Sequence, residues 1–434
     1  MITNIQLLRA FAAMSVVFYH TTFLLPGNIH TEFQGVPIFF VISGFIISQI
    51  ASNNPIEFFY HRLVRIVPIY WIATAGGCIY WLASGSQKQI RILVGIVLIY
   101  FAGKFFSKER KRFNIVFEQR RLLLRCLMAL LILASILAPV YVWVRPSHLK
   151  PLFVLKSLLF IPALDANGDL HPVLGVGWTL NLEMFFYVVF AVALFAGKQL
   201  APILASLVLI VIRVLYVTGI CTNKYFEFYS HPYVMLFILG AMLNYAFICF
   251  KDKVIPKKLA ITLLIVAVAC LLFYNLIPRD WFPFLKSSIA GYFGLYVGPT
   301  ILVGAALLCH SARIRCNWST AILLGNASYS LYLFHPIIIE TLRRWIPMWR
   351  ALDYSHYIFG LLAVFVIATL VSIVSYVYLE RPFQKELRDF GKAIERFFRQ
   401  SSPGPLGFRT IFTGERAQKK AETLDPVSPV MPLD

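Results

Sequence analysis

Arg9 and His20 lie in one apolar stretch, LLRAFAAMSVVFYH at residues 7–20. At 100° per residue they return to nearly the same helix face, roughly 16 Å apart along the axis. An imidazole can take up a proton as a general base or form a covalent intermediate, and a guanidinium holds an anion. An ionisable group inside a bilayer costs about 2.5–3.5 kcal/mol on insertion scales, which makes both residues functional candidates. The plain alternative is an arginine that snorkels to the surface and a histidine satisfied by a neighbouring helix.

Four further clusters carry polar chemistry. GVPIFFVISGFII places Ser43 and Gly44 mid-span, where a small pair lets another helix approach and a hydroxyl can bond across the gap. In HRLVRIVPIYW, Arg62 and Arg65 stand one turn apart, a pairing that suits a phosphate as well as the usual basic flank of a span. GWTLNLEMFFY buries Glu183 in a long apolar run, with Trp178 before it and Tyr187 one turn later. A carboxylate there must find a partner or take up a proton, so an active-site role is favoured over a structural ion pair. GNASYSLYLFHP spaces Ser328, Tyr332 and His335 along one helix face. Glu380 and Arg381, in YLERPF, read instead as an inexpensive charge pair where the last span meets the surface.

The elements that must hold these residues are membrane helices. Hydrophobic residues make up 59 % of the chain and charged residues 14 %, against roughly 25 % charged in soluble domains. Hydropathy places candidate spans near 5–25, 36–51, 66–84, 89–103, 122–144, 173–197, 200–218, 231–250, 259–278, 289–309, 320–342 and 357–379. The expected fold is an all-α polytopic membrane protein of about 10–12 transmembrane helices. The 36–51 span is short, and 89–103 could be interfacial. The net charge of +20 comes from basic segments between spans, which is the pattern of cytoplasmic loops rather than of a nucleic-acid-binding domain. Those segments are HRLVR at 61–65, 104–125, KDKVIPKK at 251–258, RIR at 313–315 and the tail. Their bias puts both termini in the cytoplasm, although Arg343, Arg344 and Arg350 fall on the outer side. The N-terminus lacks a basic n-region and a cleavage site, so the first span is expected to stay in the membrane. The seven cysteines show no metal or redox spacing. From about 386, RDFGKAIERFFRQ is a basic amphipathic stretch suited to an anionic inner leaflet, followed by a Pro-rich end expected to be disordered.

Taken together the motifs resemble the membrane acyltransferase 3 family, most closely its exopolysaccharide-production and O-antigen O-acetyltransferase-like branch. The resemblance rests on Arg9-x10-His20, FFVISGF at 39–45, Arg62-x2-Arg65 with RIVPIYW, GWTLNLEMFFY at 177–187, GNASYSLYLFHP at 325–336 and ERPF at 380–383. It covers residues 1–385 and implies an O-acyltransferase of the inner (plasma) membrane. The donor would be acetyl-CoA or another acyl-CoA, with no metal. The acceptor would be a hydroxyl of a cell-envelope or exported polysaccharide, or of its lipid-linked precursor, with polysaccharide export machinery as a partner. By the same resemblance His20 is the central catalytic residue, acting as a base or as an acyl carrier, and Arg9 is its motif partner. Glu183 would orient or charge-balance His20, and Arg62 and Arg65 would hold the coenzyme A phosphates. Ser43, Trp178, Tyr187 and His335 would shape the pocket. Two features depart from the family pattern: a longer segment about 86–125, read as an insertion, and the tail at 386–434. A secondary transporter and a glycan flippase or polymerase are the rival readings of a many-span chain with buried charges.

Overall fold

Among the described residues every regular element is helical. The computed structural model describes residues 2–22, 35–83, 150–165, 168–276, 293–345 and 354–401. The first helices are α1 (Thr3–Thr22), α2 (Val36–Gln49), α3 (Pro55–Ala83) and the short α4 (Pro151–Leu158). A 3-10 turn at Gly175–Gly177 leads into α5 (Trp178–Ala193), followed by α6 (Ala201–Val217), α7 (Lys224–Tyr229), α8 (Val234–Phe250) and α9 (Lys257–Leu276). A π-helical turn, Phe293–Val297, opens α10 (Gly298–Ser311), and α11 (Ser319–Trp345) comes next. Finally α12 (Tyr354–Ser375) runs through a second π-helical turn, Tyr376–Glu380, into α13 (Arg381–Ser401).

Among the described residues, five helical stretches are long and apolar enough to cross a membrane: Gly175–Ala196, Lys224–Phe250, Gly294–Ser311, Ser319–Leu342 and Phe359–Ala393. The protein is therefore an all-α polytopic membrane protein. The expected spans at 89–103 and 122–144, the insertion at about 86–125 and the Pro-rich end beyond 401 lie outside the described residues.

Two boundaries differ from the hydropathy reading. The third span was expected from 66, yet α3 starts at Pro55 and carries Arg62 and Arg65 within its 29 residues. A hydropathy window rejects arginine, but a helix forms around it readily when the side chain faces a polar cavity. The second span is a 14-residue helix, about 21 Å long and short of a roughly 30 Å hydrocarbon core. Its start at Gly35 lies against the backbone of Ala12, in the middle of α1 rather than beyond its end.

Small residues set the packing. A Cβ on Gly325 would stand 2.1 Å from the carbonyl oxygen of Gln6, so α11 touches α1 backbone to backbone. Beyond that point Ala13 and Val17 of α1 pack with Leu331 and Ile339 of α11 and Val364 and Ala368 of α12. Likewise a Cβ on Gly44 would meet the Phe237 carbonyl at 2.1 Å, and one on Gly240 would meet that of Val41 at 2.1 Å, closing α2 onto α8. The Ser43-Gly44 pair thus does let a helix approach closely.

Polar ties join the helix ends. Asn4 donates to the carbonyls of Ala306 (3.1 Å) and Ile314 (2.8 Å) and accepts from the Cys316 amide at 2.8 Å. The start of α1 therefore shares one end of the bundle with the basic Arg313–Arg315 turn. Tyr60 near the start of α3 donates to the Leu387 carbonyl of α13 at 2.5 Å. Farther along α3, Tyr70 and Trp71 donate to the carbonyls of Ser157 (3.1 Å) and Leu158 (2.9 Å), fastening α4 to it.

Overpacking a close helix crossing costs about 1–3 kcal/mol or blocks assembly. Gly325→Leu is expected to lower the thermal midpoint of the detergent-solubilised protein by several degrees or to prevent its recovery. Gly304→Ala, whose Cβ would meet only the Leu243 side chain at 3.4 Å, should leave the midpoint unchanged or raise it.

Candidate active site

Five helices bring polar side chains to one cavity inside this apolar bundle. Arg9 comes from α1, Ser43 from α2, Arg62 and Arg65 from α3, Glu183 and Tyr187 from α5, and Ser328, Tyr329 and Tyr332 from α11. Helix periodicity explains the convergence. Arg62 and Arg65 are three residues apart and Glu183 and Tyr187 four apart, so each pair faces one way.

Glu183 accepts a hydrogen bond from the Ser43 hydroxyl at 2.9 Å and another from the Tyr187 hydroxyl. A second carboxylate stands nearby. Glu380, in the π-helical turn, is 4 % exposed and accepts from the Ser330 hydroxyl (2.7 Å) and the Gln384 amide (3.3 Å). The charges of Arg9 and Arg65 act on it, and Arg9 also feels Glu183. The surface charge pair expected of Glu380 and Arg381 is not what forms. Arg381 is exposed while Glu380 turns into the bundle. The widened π-helical turn re-aims its side chain, and four residues of sequence carry no sign of that turn.

The arginines are left open. Arg9 donates to the Gln6 side chain at 3.3 Å. Among the described residues neither Arg62 nor Arg65 makes a side-chain hydrogen bond, and no ion pair within 4 Å joins these arginines to Glu183 or Glu380. Arg62 stacks over Phe58 at 6.0 Å, with its buried Nε unpartnered. The Ser328 hydroxyl, also lining the cavity, is 0 % exposed at the residue level and has no partner. Three cations against two carboxylates, each carboxylate held by hydroxyl or amide donors, leave a net positive cavity suited to an anionic group.

His20 and His335 form a separate pair. Their rings lie 5.0 Å apart between centroids, tilted by 40°. Tyr332, which lines the cavity, has its ring 6.0 Å from that of His335 and so stands between the arginines and the imidazoles. It is held there by a hydrogen bond to the Val176 carbonyl (2.8 Å) and by the Thr179 hydroxyl (2.6 Å). The expected pairing of Glu183 with His20 therefore gives way to another arrangement. Glu183 sits at the arginine end of α1, and the ring facing His20 is that of His335. Trp178 also falls elsewhere: it packs edge-on against His231 (5.0 Å) beside a shallow cleft formed with Asp169, His171, Lys224 and Glu227. In the loop that leads to that cleft, Asp165 pairs with His171 at 3.8 Å and accepts from the Asp169 amide at 3.0 Å.

Comparison with known proteins decides the family. The acyltransferase 3 family model, described as an acyltransferase domain, matches residues 2–377. The chain belongs to this family. The acyltransferase is 29 % identical to the exopolysaccharide production protein ExoZ of Rhizobium meliloti (strain 1021), over 82 % of this chain and 90 % of that one. It is 24 % identical to YrhL of Bacillus subtilis (strain 168), over 89 % of this chain, and 22 % identical to the O-acetyltransferase OatA of Staphylococcus aureus, over 87 %. In both of these the match spans 56 % of the relative's own length. No solved structure matches the chain. As an acyltransferase the protein requires an acyl donor, which a transporter, flippase or polymerase does not.

Most polar groups of this acyltransferase's cavity are legible in its sequence motifs. Glu380 and Ser330 are not legible there as interior groups, and only the motif order around ERPF hints at them. A hydrogen bond to a charged group contributes about 1.5–3 kcal/mol, and 1.4 kcal/mol is tenfold in rate. Ser43→Ala and Tyr187→Phe are therefore each expected to lower acyl transfer roughly tenfold while the double variant loses less than the product of the two. Wild-type rates from both single variants would remove the Glu183 cluster from the reaction.

Proposed function

We propose that this acyltransferase moves an acetyl group from acetyl-CoA to a hydroxyl of a cell-envelope or exported polysaccharide, or of its lipid-linked precursor, in the inner membrane. The observation that carries the reading is the positive cavity of Arg9, Arg62 and Arg65, with the buried Arg62 Nε and Ser328 hydroxyl unpartnered. Such a cavity fits a phosphorylated donor. The relatives' names supply the acetyl group and the exopolysaccharide. Residues 1–385 form the acyltransferase unit in this reading, with the segment about 86–125 as an insertion and 386–434 as a cytoplasmic tail. Both termini are cytoplasmic: the α1 start, tied by Asn4 to the basic turn after α10, supports that side as the inner one.

Arg62 and Arg65 hold the donor's phosphates, and Arg9 extends the positive surface toward the membrane centre. Acetyl-CoA supplies an acyl thioester. Neutral His20 takes the proton of the acceptor hydroxyl as its oxygen forms the new bond to the acyl carbon. The carbon–sulfur bond breaks, and the proton passes from His20 to the departing thiolate. Ser43 and Tyr187 hold the Glu183 carboxylate by hydrogen bonds, so that the cavity receives its anion without collapsing onto an internal salt bridge. Tyr332 separates the charged end from the imidazole end.

His20→Ala is expected to abolish acetyl transfer while the purified protein keeps its thermal midpoint. Arg62→Ala and Arg65→Ala should raise the KM for acetyl-CoA about tenfold or more. In cells lacking the protein, envelope glycans analysed by mass spectrometry should lose an acetyl-sized increment. Full activity of His20→Ala, or unchanged glycans, would sink this assignment.

A further inference from the structure

His335 is enclosed completely, and its two ring nitrogens have different surroundings. Nδ1 lies 3.1 Å from the carbonyl oxygen of Leu331, one turn back along α11. A carbonyl can only accept, so Nδ1 carries the hydrogen. The next residue, Pro336, has no N–H for the Tyr332 carbonyl, which leaves a second backbone acceptor on the same turn of α11. The neutral ring therefore presents Nε2 as a bare acceptor. Nε2 is buried with no partner, and leaving such an atom unsatisfied costs about 1–3 kcal/mol. Its residue is 0 % exposed, so solvent and acceptor sugars do not reach it.

The ring that stands against it is His20, 5.0 Å away between centroids. A bond from one imidazole N–H to another imidazole nitrogen spans about 2.9 Å. With a ring radius added at each end, that places the centroids roughly 5 Å apart. The observed 5.0 Å matches that spacing. We infer that His335 is a positioning residue whose Nε2 accepts a hydrogen bond from His20, selecting the tautomer that points the other His20 nitrogen at the acceptor hydroxyl. This rests on the reading of His20 as the proton acceptor. In that role His335 stays neutral throughout. The hydroxyl proton goes to the other nitrogen of His20 and then to the departing thiolate, while the N–H facing His335 is never transferred. A neutral acceptor suits an interior site where a carboxylate would carry a large desolvation cost. It also accounts for Glu183 lying elsewhere.

The test uses the full-length protein in detergent or nanodiscs, with acetyl-CoA and an envelope glycan extract. His335→Leu fills the space but accepts nothing. It should lower kcat at least about tenfold and leave the KM for acetyl-CoA within about twofold. His335→Gln carries an amide oxygen at the position of Nε2 and should restore most of the rate. The shorter His335→Asn ends nearer Nδ1 and should not. If the leucine variant fails to fold, the glutamine–asparagine comparison decides: equal activities overturn the inference, and an active glutamine with an inactive asparagine supports it. A wild-type kcat in folded His335→Leu also overturns it. His20→Ala is run alongside, because activity there defeats the proposed reaction itself, whereas an inactive His20→Ala with unaffected His335 variants defeats only this inference.

Discussion

The structure depends on one constraint: charge placed inside a bilayer must be satisfied by the protein itself, since no water is at hand to do so. Arg9, Arg62, Arg65, Glu183 and Glu380 all stand within the bundle, yet they do not neutralise one another through direct ion pairs. Hydroxyls do part of that work. Ser43 and Tyr187 hold Glu183, and Ser330 holds Glu380. The carboxylates then act on the arginines from a distance, and the guanidinium groups stay available. A direct salt bridge would be a closed arrangement that a ligand must break, whereas hydroxyl-supported carboxylates keep the cavity charged and open.

Keeping so many polar groups in register requires helices that approach closely at chosen points. Gly325 against Gln6, and Gly44 and Gly240 across α2 and α8, bring backbones together where any side chain would collide. In lipid, dispersion contacts at such crossings contribute much of the association, because apolar side chains gain nothing by leaving one hydrocarbon for another. These crossings fix how α1 lies on α11. That contact puts Arg9 beside Ser328 and, farther along, His20 beside His335. One helix pair thus joins an anion-holding end to an imidazole end, with Tyr332 between them.

Much of this was legible in the sequence, and the rest was hidden for definite reasons. Membrane class and helical content follow from apolar runs, which depend on composition alone. The same-face logic of Arg62 with Arg65, and of Glu183 with Tyr187, follows from helical periodicity and appears intact in the cavity. Periodicity cannot say which faces of different helices meet. Glu183 could be placed on its helix, but not assigned to Ser43 rather than to His20. Trp178 shares a motif with Glu183 yet starts the helix, five residues away, and ends up beside His231. Glu380 and Arg381 are adjacent in sequence and point apart because a π-helical turn lies under them.

The sequence by itself determined which residue types enter the membrane and how they repeat along each helix, because insertion cost and helical pitch are local properties. It also carried the family, since the motifs recur in order. Only the tertiary structure decided which charges share a cavity, that among the described residues its arginines form no direct ion pair with Glu183 or Glu380, and that a second imidazole stands against His20. Those outcomes turn on where backbones can touch, and a glycine in one helix has meaning only against the carbonyl it meets in another.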